Sequence, residues 1–279
     1  MRPEWLRVDL PCGEEYDSMV RLLKSTGLNT VCQAAHCPNI SECFSSGTAA
    51  FMLLGDVCTR DCLYCDVPPG VPMPPDPDEP ARVAQACKKL GLHYVVVTSV
   101  TRDDLPDSGA SHFAQTIREI RSLNPQCKVE VLIPDLKGDV SSLKKILAAS
   151  PDILNHNLET VSRLFPEVRP QGDYQRSLDL LTAAASFDAT TKSGLMVGMG
   201  ETEEEIRRAL KDLREADVAS VTIGQYLQPS TDHVLVSKYY SPEEFSSFKD
   251  YCMGLGFSSA YCSPLVRSSY HASEVYVGH

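Results

Sequence analysis

The stretch CTRDCLYC, residues 58 to 65, sets Cys58, Cys62 and Cys65 at gaps of three and two residues. Thiolate sulfur is a soft donor suited to zinc or to iron with sulfide. A metal held by cysteine usually takes four ligands, so this triple stops one short. A second C-x2-C pair downstream would mean structural zinc, but no fourth Cys or His completes a compact knuckle. A second triple lies upstream in VCQAAHCPNISEC, with Cys32, Cys37 and Cys43 at C-x4-C-x5-C. Two incomplete triples this close point to two clusters rather than one six-ligand site, because a cubane has only four irons to ligate.

The chain carries eleven cysteines, six of them between residues 32 and 65. Disulfides are disfavoured inside cells, so clustered cysteines in a chain read as intracellular weigh as metal or redox sites. Cys12, Cys87, Cys127, Cys252 and Cys262 are scattered; Cys87 and Cys252 fall on apolar faces of expected helices and read as buried structural thiols.

The elements that must position these groups follow from periodicity. Residues 14–26 carry Tyr16, Met19, Val20 and Leu23 on one helical stripe, with Gly27 as a stop. From residue 49, short apolar runs at 49–55, 93–99, 127–135, 152–157, 191–198 and 218–227 read as six strands. Helical patterns alternate with them, such as Val83, Cys87 and Leu90, or Ile206, Ala209, Leu210 and Leu213. Asp78 before Pro80 marks one helix start, and Ser241 with Glu244 forms a capping box at another. Six strands alternating with helices imply a parallel α/β sheet with right-handed crossovers. Pattern alone does not distinguish a closed barrel, an open arc and a doubly wound sheet. In each case reactive residues gather at the carboxyl ends of the strands. The polar stretches CTRDCLYC, TSVTRDD, NHNLETV, GMGET and QYLQPS all follow strand ends. The Pro-rich segment 67–80 reads equally as a structured loop or a passive linker.

Bulk properties exclude some functions. A net charge of −11 without a basic stripe argues against nucleic acid as a partner. No apolar run reaches the roughly 20 residues of a membrane span. The start, MRPEWLRVDL, lacks signal or import features, so the chain is expected to be soluble and cytoplasmic. GMGETEEE lacks the Lys of a phosphate loop and reads as a strand-to-helix turn with an acidic first turn. Asp103 and Asp104 read as capping or salt-bridging carboxylates more readily than as a general acid and base. His36 and His271, beside the candidate clusters, read as hydrogen-bonding neighbours of ligands.

The C-x3-C-x2-C spacing at the end of the first long strand resembles the radical S-adenosylmethionine (SAM) superfamily. The pair of triples, together with RPEWLR, SGTAAFMLLGDVCTRDCLYCDV, TSVTRDDLPDSGASHFA, NHNLETVSRLFPEVRP, KSGLMVGMGET, GQYLQPS and PLVRSSYHA, resembles the lipoyl synthase family over nearly the whole chain. The resemblance implies a partial (βα)6 TIM-like barrel over residues 49–230. An N-terminal extension, 1–48, would carry the auxiliary cysteines, and a helix and tail, 231–279, the RSSY motif. It implies two [4Fe-4S] clusters. Cys58, Cys62 and Cys65 would hold the first, leaving one iron open to the amino and carboxylate groups of SAM. Cys32, Cys37 and Cys43 would hold the second, completed through oxygen by Ser269, with Ser268 the fallback. Thr98, Ser99, Asn155, Glu159, Arg169 and Arg176 are the expected SAM contacts, and Arg267 would steady the serine or the substrate carbonyl.

The implied activity is radical-mediated insertion of two sulfur atoms at carbons 6 and 8 of an octanoyl chain, the sulfur coming from the auxiliary cluster. The implied partners are an octanoylated lipoyl carrier domain, carrier protein or peptide, and an electron donor such as a ferredoxin or flavodoxin. The alternatives are another two-cluster radical enzyme of sulfur insertion and a non-catalytic iron–sulfur or zinc protein; an electron carrier needs neither six strands nor an open iron. The chain departs from the family text at Gln33, Ala34 and Ala35 (usually Glu-Glu-Ala), Ala50 (Thr), Ser108 (Gly) and Ser263 (Gly). None of these removes a metal ligand.

Overall fold

The computed structural model describes residues 3–8, 13–45, 50–270 and 272. Cys12 and His271 lie outside the described residues. Two compact units form, one of Val8–Arg60 with Asp66–Leu154, the other of Met1–Arg7, Asp61–Cys65 and Asn155–His279.

The first unit runs α1 (Glu14–Thr26), β1 (Asn29–Thr30), α2 (Val31–Ala34), α3 (Ile40–Ser45), β2 (Ala50–Leu53), α4 (Glu79–Lys89), β3 (Tyr94–Ser99), α5 (Ala110–Leu123), β4 (Lys128–Leu132), α6 (Val140–Leu147) and most of β5 (Ile153–Asn155). The second runs α7 (Phe165–Val168), α8 (Tyr174–Ser186), β6 (Thr191–Val197), α9 (Glu203–Glu215), β7 (Ser220–Gln225), α10 (Pro242–Gly254) and β8 (Ser259–Cys262). Sheet order follows chain order, β1 to β8. β2, β3 and β4 pair in parallel, as do β6, β7 and β8, while β1 joins β2 antiparallel.

All six expected strands form within a few residues of their expected bounds. Two more exist. β1 is two residues long, too short to leave a period. β8 reads SAYC, with no β-branched run, and is held by its register on β7, Val221 opposite Ala260 and Ile223 opposite Cys262. The expected helix and tail after residue 230 therefore also contain a strand.

Alternation assigns the two faces of each strand. In the first unit Val95 and Val97 of β3 and Val129 and Val131 of β4 are buried, as are Val83 and Cys87 of α4, Phe113, Ile117 and Ile120 of α5 and Leu143 and Ile146 of α6. In the second, Leu195, Val197, Val221 and Ile223 share one apolar cluster with Ile206, Leu210 and Leu213 of α9 and Phe245, Phe248 and Cys252 of α10. Cys87 and Cys252 are fully buried thiols, as their helical faces required.

Helix starts follow their chemistry. Ser241 with Glu244 and Thr202 with Glu205 both close reciprocal capping boxes, the second beginning the helix after GMGET. Asp78 stands at the start of α4, but its side chain caps nothing there. Gly27 closes α1 in the left-handed region at φ 60°.

Ser108 is buried with φ 51°, a region that favours glycine, which is the residue the resemblance places there. A side chain in that conformation costs roughly 1 kcal/mol. Ser108→Gly is expected to raise stability by about that amount, read as a higher urea midpoint with unchanged slope.

The Arg163 guanidinium, followed by the Thr202 backbone N–H, holds the Glu205 carboxyl down at about 2 against an ordinary 4.5. A depressed folded pKa contributes stability above the unfolded value that is lost as pH falls through the folded one. Glu205→Gln should therefore lower the thermal midpoint at neutral pH, with the gap to the parent closing between about pH 4.5 and 2.

Candidate active site

The cysteine loop is anchored by the residues between its sulfurs. Cys58 N–H donates to Pro68 O at 2.9 Å, and Cys58 O accepts from Gly70 N–H at 2.8 Å. The Pro-rich segment thus runs beside the loop in register with it and is no passive linker. Thr59 donates to Thr101 O through both its N–H (3.0 Å) and its hydroxyl (2.9 Å), and its hydroxyl accepts from Asp103 N–H at 3.0 Å.

Arg60 is 3% exposed and spans two carboxylates. It donates to Asp103 at 2.7 and 3.0 Å and to Asp135 at 3.0 and 2.6 Å. Asp135 is wholly buried. Forked, charge-assisted pairs of this kind fix geometry as well as energy. The Arg60 backbone N–H donates to Cys58 Sγ at 3.4 Å. Asp103 is thereby an ion-pairing carboxylate, and so is Asp104, which pairs with Arg102 at 2.7 and 2.8 Å.

The upstream triple lies in the same unit. Cys32 is buried in α2, Cys37 N–H donates to Cys32 O at 3.0 Å, and Cys43 N–H donates to Asn39 O at 2.9 Å. Burial pushes the Cys43 thiol up to about 12, with further contributions from Cys32 and Cys37. Burial and then Cys37 raise Cys32 to about 11. The three sulfurs therefore feel one another, and bringing in a cation relieves that repulsion as thiol protons leave. As they stand, no three Cys, His, Asp or Glu side chains among the described residues are close enough together to hold a metal ion. His36, beside Cys37, contacts Asp66, beside Cys65, through Nδ1. Gln33 accepts from the Thr30 hydroxyl at 3.1 Å at the start of α2.

Residues 61–65 belong to the second unit. Leu63 N–H donates to Val168 O at 2.9 Å, Val234 N–H to Leu63 O at 3.0 Å, and His233 Nε2 lies 3.0 Å from Cys65 O. Cys65 N–H donates to Cys62 O at 3.0 Å, closing a turn that carries Tyr64. Desolvation raises the Tyr64 phenol well above its ordinary value, and Glu159 and Cys62 add to this. Glu159, at φ 74°, is pinned across β6 by Glu159 N–H to Gly194 O (2.9 Å) and Met196 N–H to Glu159 O (2.8 Å). Desolvation raises its carboxyl; Arg169, Asn157, Arg267 and Tyr64 oppose that rise. Arg169 is buried, donates to Asn157 O at 3.1 Å and lies over the Phe165 ring at 5.5 Å. Glu159, Arg169 and Arg267, expected from sequence, are brought together with Tyr64 and Asn157, which were not.

Other expected residues are more dispersed. Thr98, one residue before the end of β3, donates its hydroxyl to Leu132 O at 2.9 Å, and the buried hydroxyl of Ser99, the last residue of the strand, has no protein partner. An orphaned buried hydroxyl at a strand's carboxyl end suits a polar ligand. Asn155 ends β5 fully buried. Arg176 sits in the first turn of α8, capped by Asp173 at 2.7 Å. Ser269 is partly buried in the turn 267–270; the neighbouring Ser268 hydroxyl accepts from Asn157 Nδ2 at 3.3 Å.

Arg60, Asp135, Tyr64, Asn157 and Lys192 were missed. Arg60 had a readable signal, an arginine between cysteines at the end of an apolar strand, where burial demands acidic partners. Lys192, inside the apolar run TKSGLMVG, carried a similar one.

A chain of βα repeats with C-x3-C-x2-C at the end of an early strand matches the family model of the radical SAM superfamily over residues 52–213. Among solved structures, methylornithine synthase superposes with a TM-score of 0.59 over 87% of this chain and 70% of its own, at 14% identity. Streptococcus suis SuiB bound to S-adenosylmethionine gives 0.58 over 77% and 50%, at 13%. At that identity the likeness shows the fold alone, an α/β partial barrel. The chain is a member of the radical SAM superfamily, and so of a class that uses a [4Fe-4S] cluster with S-adenosylmethionine. Lipoyl synthases from Caldicellulosiruptor saccharolyticus and Nitrosomonas eutropha are each 53% identical to it over 98% of this chain and 96% and 88% of their own. The chain belongs to the lipoyl synthase family.

Removing one acid from a buried ion pair leaves an uncompensated charge, typically at a cost of about 3–5 kcal/mol. Asp135→Asn should approach that range in urea unfolding. Asp103→Asn should cost less, because the Asp103 side chain is 27% exposed against 0% for Asp135. Both should raise the reactivity of Cys58 toward a thiol reagent.

Proposed function

We propose that this enzyme inserts two sulfur atoms at carbons 6 and 8 of an octanoyl chain borne by a lysine of a lipoyl carrier domain, carrier protein or peptide. The observation that carries this reading is the presence of both cysteine triples and the RSSY motif in one chain, alike to lipoyl synthases over 98% of its length. Residues 1–48 then supply the auxiliary cysteines, 49–230 the radical SAM repeat and 231–279 the serine motif.

Cys58, Cys62 and Cys65 hold the first [4Fe-4S] cluster, and Cys32, Cys37, Cys43 and Ser269 the second. Two observations support the fit: soft sulfur donors in sets of three, and auxiliary cysteines near enough that charge on Cys32 and Cys37 disfavours the Cys43 thiolate, a cost that bound iron would offset. When bound, the first cluster and its cofactor supply one-electron cleavage and a radical able to take hydrogen from unactivated C–H bonds, which offer no acidic proton.

The protein's own groups bind and orient. The Ser99 hydroxyl, buried and without a protein partner, is available to the cofactor's polar edge, beside Thr98. Asn155 and Glu159, at and beyond the end of β5, would bind the cofactor's amino and hydroxyl groups. Arg169 and Arg267 balance the Glu159 carboxylate, and Arg176, in the first turn of α8, would be a further cofactor contact. Asn157 engages the Ser268 hydroxyl, which favours Ser269 over Ser268 as the oxygen ligand. Serine oxygen is a weaker partner for iron than thiolate, so Ser269 would hold its iron less firmly than Cys32, Cys37 and Cys43 hold theirs. A ferredoxin- or flavodoxin-type donor supplies the electron.

Anaerobic reconstitution should give about eight irons per chain, and Cys37→Ala about four, since each cubane holds four. Cys37→Ala should still form 5'-deoxyadenosine with reductant but leave an octanoylated peptide unchanged by mass. Cys58→Ala should lose both activities. Four irons in the parent would remove the second cluster from this account, and deoxyadenosine without added sulfur would remove the sulfur chemistry.

A further inference from the structure

We propose that Lys192 is a positioning residue that latches the turn at 266–270 onto the sheet and so fixes where Ser269 stands. The inference rests on Ser269 being the oxygen ligand of the auxiliary cluster.

Lys192 lies in β6 with none of its surface exposed. Burying an ammonium is costly unless acceptors meet it, so such a lysine is retained where its geometry is needed. Its Nζ donates to Ser268 O at 2.7 Å, one residue before Ser269. Asn157 Nδ2 takes the Ser268 hydroxyl at 3.3 Å, so Ser268 is gripped by backbone and side chain at once.

Two glycines on the same face make room for this grip. Gly194, two residues along β6 from Lys192, would as alanine place its Cβ 2.8 Å from Asn157 Oδ1. Gly224 of β7, opposite Met196, would drive a Cβ into the Val266 carbonyl and to 3.1 Å from Arg267 Nη1. Neither glycine has a positive φ, so close approach and not backbone conformation is what they supply. The seated segment is closed by Val266 N–H to Ser263 O (3.1 Å) and Tyr270 N–H to Arg267 O (3.0 Å). Methionine at 192 would fill similar volume without the desolvation cost. What lysine adds is a fixed donor for the Ser268 carbonyl.

The test compares Lys192→Met, Lys192→Arg and Ser268→Ala in the full chain. A hydrogen bond from a charged donor is large enough that its loss should speed amide exchange across 264–270 by roughly tenfold or more in the iron-free Lys192→Met chain. Ser268→Ala, which keeps the carbonyl, and Lys192→Arg, which keeps the donor, should move it far less. After reconstitution Lys192→Met should lose iron from the parent's roughly eight toward four and change the auxiliary cluster's electron paramagnetic resonance signal, and the arginine variant should recover both. Parent-like exchange in Lys192→Met overturns the latch, and a loosened turn with full iron and an unchanged signal overturns its role in placing Ser269. Should the methionine variant not fold, Gly224→Ala decides: it unseats the Val266 carbonyl and should raise labelling of Lys192 by an amine reagent at least roughly fivefold, and unchanged labelling overturns the proposal. Failure of the two-cluster reading would appear separately, as Cys37→Ala with an undiminished iron count.

Discussion

Arg60 sets the conformation on which the cysteine loop depends. A parallel sheet brings its strand ends to one edge, and here the loops after β3 and β4 each bring a carboxylate, Asp103 and Asp135, to the same point. Left alone these would repel each other and draw water into the edge. The guanidinium between them satisfies both and ties the middle of CTRDCLYC to two strand ends. Thr59 adds three bonds to the Thr101–Asp103 loop, and the Pro-rich segment closes the far side of Cys58. These hydrogen bonds and ion pairs hold the Cys58 end of the loop from several sides at once.

The upstream triple is held on other terms. Burial and then Cys37 raise Cys32 to about 11, and burial followed by Cys32 and Cys37 raises Cys43 to about 12, which favours the neutral thiol at both. A metal bound at these thiols would have to displace those protons, so its affinity there would depend on pH.

Much of the architecture could be read from the chain because its period is simple. Six apolar runs, each followed by an amphipathic helix, appear as strands, and the capping boxes at Ser241 and Thr202 stand where Ser/Thr precedes Glu by three. β8 could not be read, because SAYC gains its strand character from pairing with Val221 and Ile223 rather than from its own composition. The cysteine spacing exposed the chemistry, and resemblance named it. The supporting groups stayed hidden for a physical reason: Arg60, Asn157 and Lys192 are polar residues whose roles exist only through partners distant in sequence, such as Asp135 at a separation of 75 or Ser268 at 76 from Lys192. Ser108 was read only as a departure from family text; its positive φ explains why glycine belongs there.

The two faces of β6 and β7 divide the labour of the second unit. Leu195 and Val197 with Val221 and Ile223 join the apolar cluster beneath α9 and α10, and hydrophobic burial there does not depend on what occupies the other side. The opposite face carries Lys192, Gly194, Thr222 and Gly224, a set that buries little apolar area. A larger side chain at Gly194 or Gly224 would collide with Asn157 or the Val266 carbonyl, and the Lys192 ammonium meets the Ser268 carbonyl, so this face is shaped by the segment seated on it and not by apolar packing. Because the helix-facing layer already secures the fold, this inner face is free to be polar, to leave gaps at two glycines and to hold a carbonyl with a buried charge. The serine turn is seated on that face and not on the apolar one, so its position is set by directional bonds, which fix distance and angle, rather than by hydrophobic contact, which fixes neither.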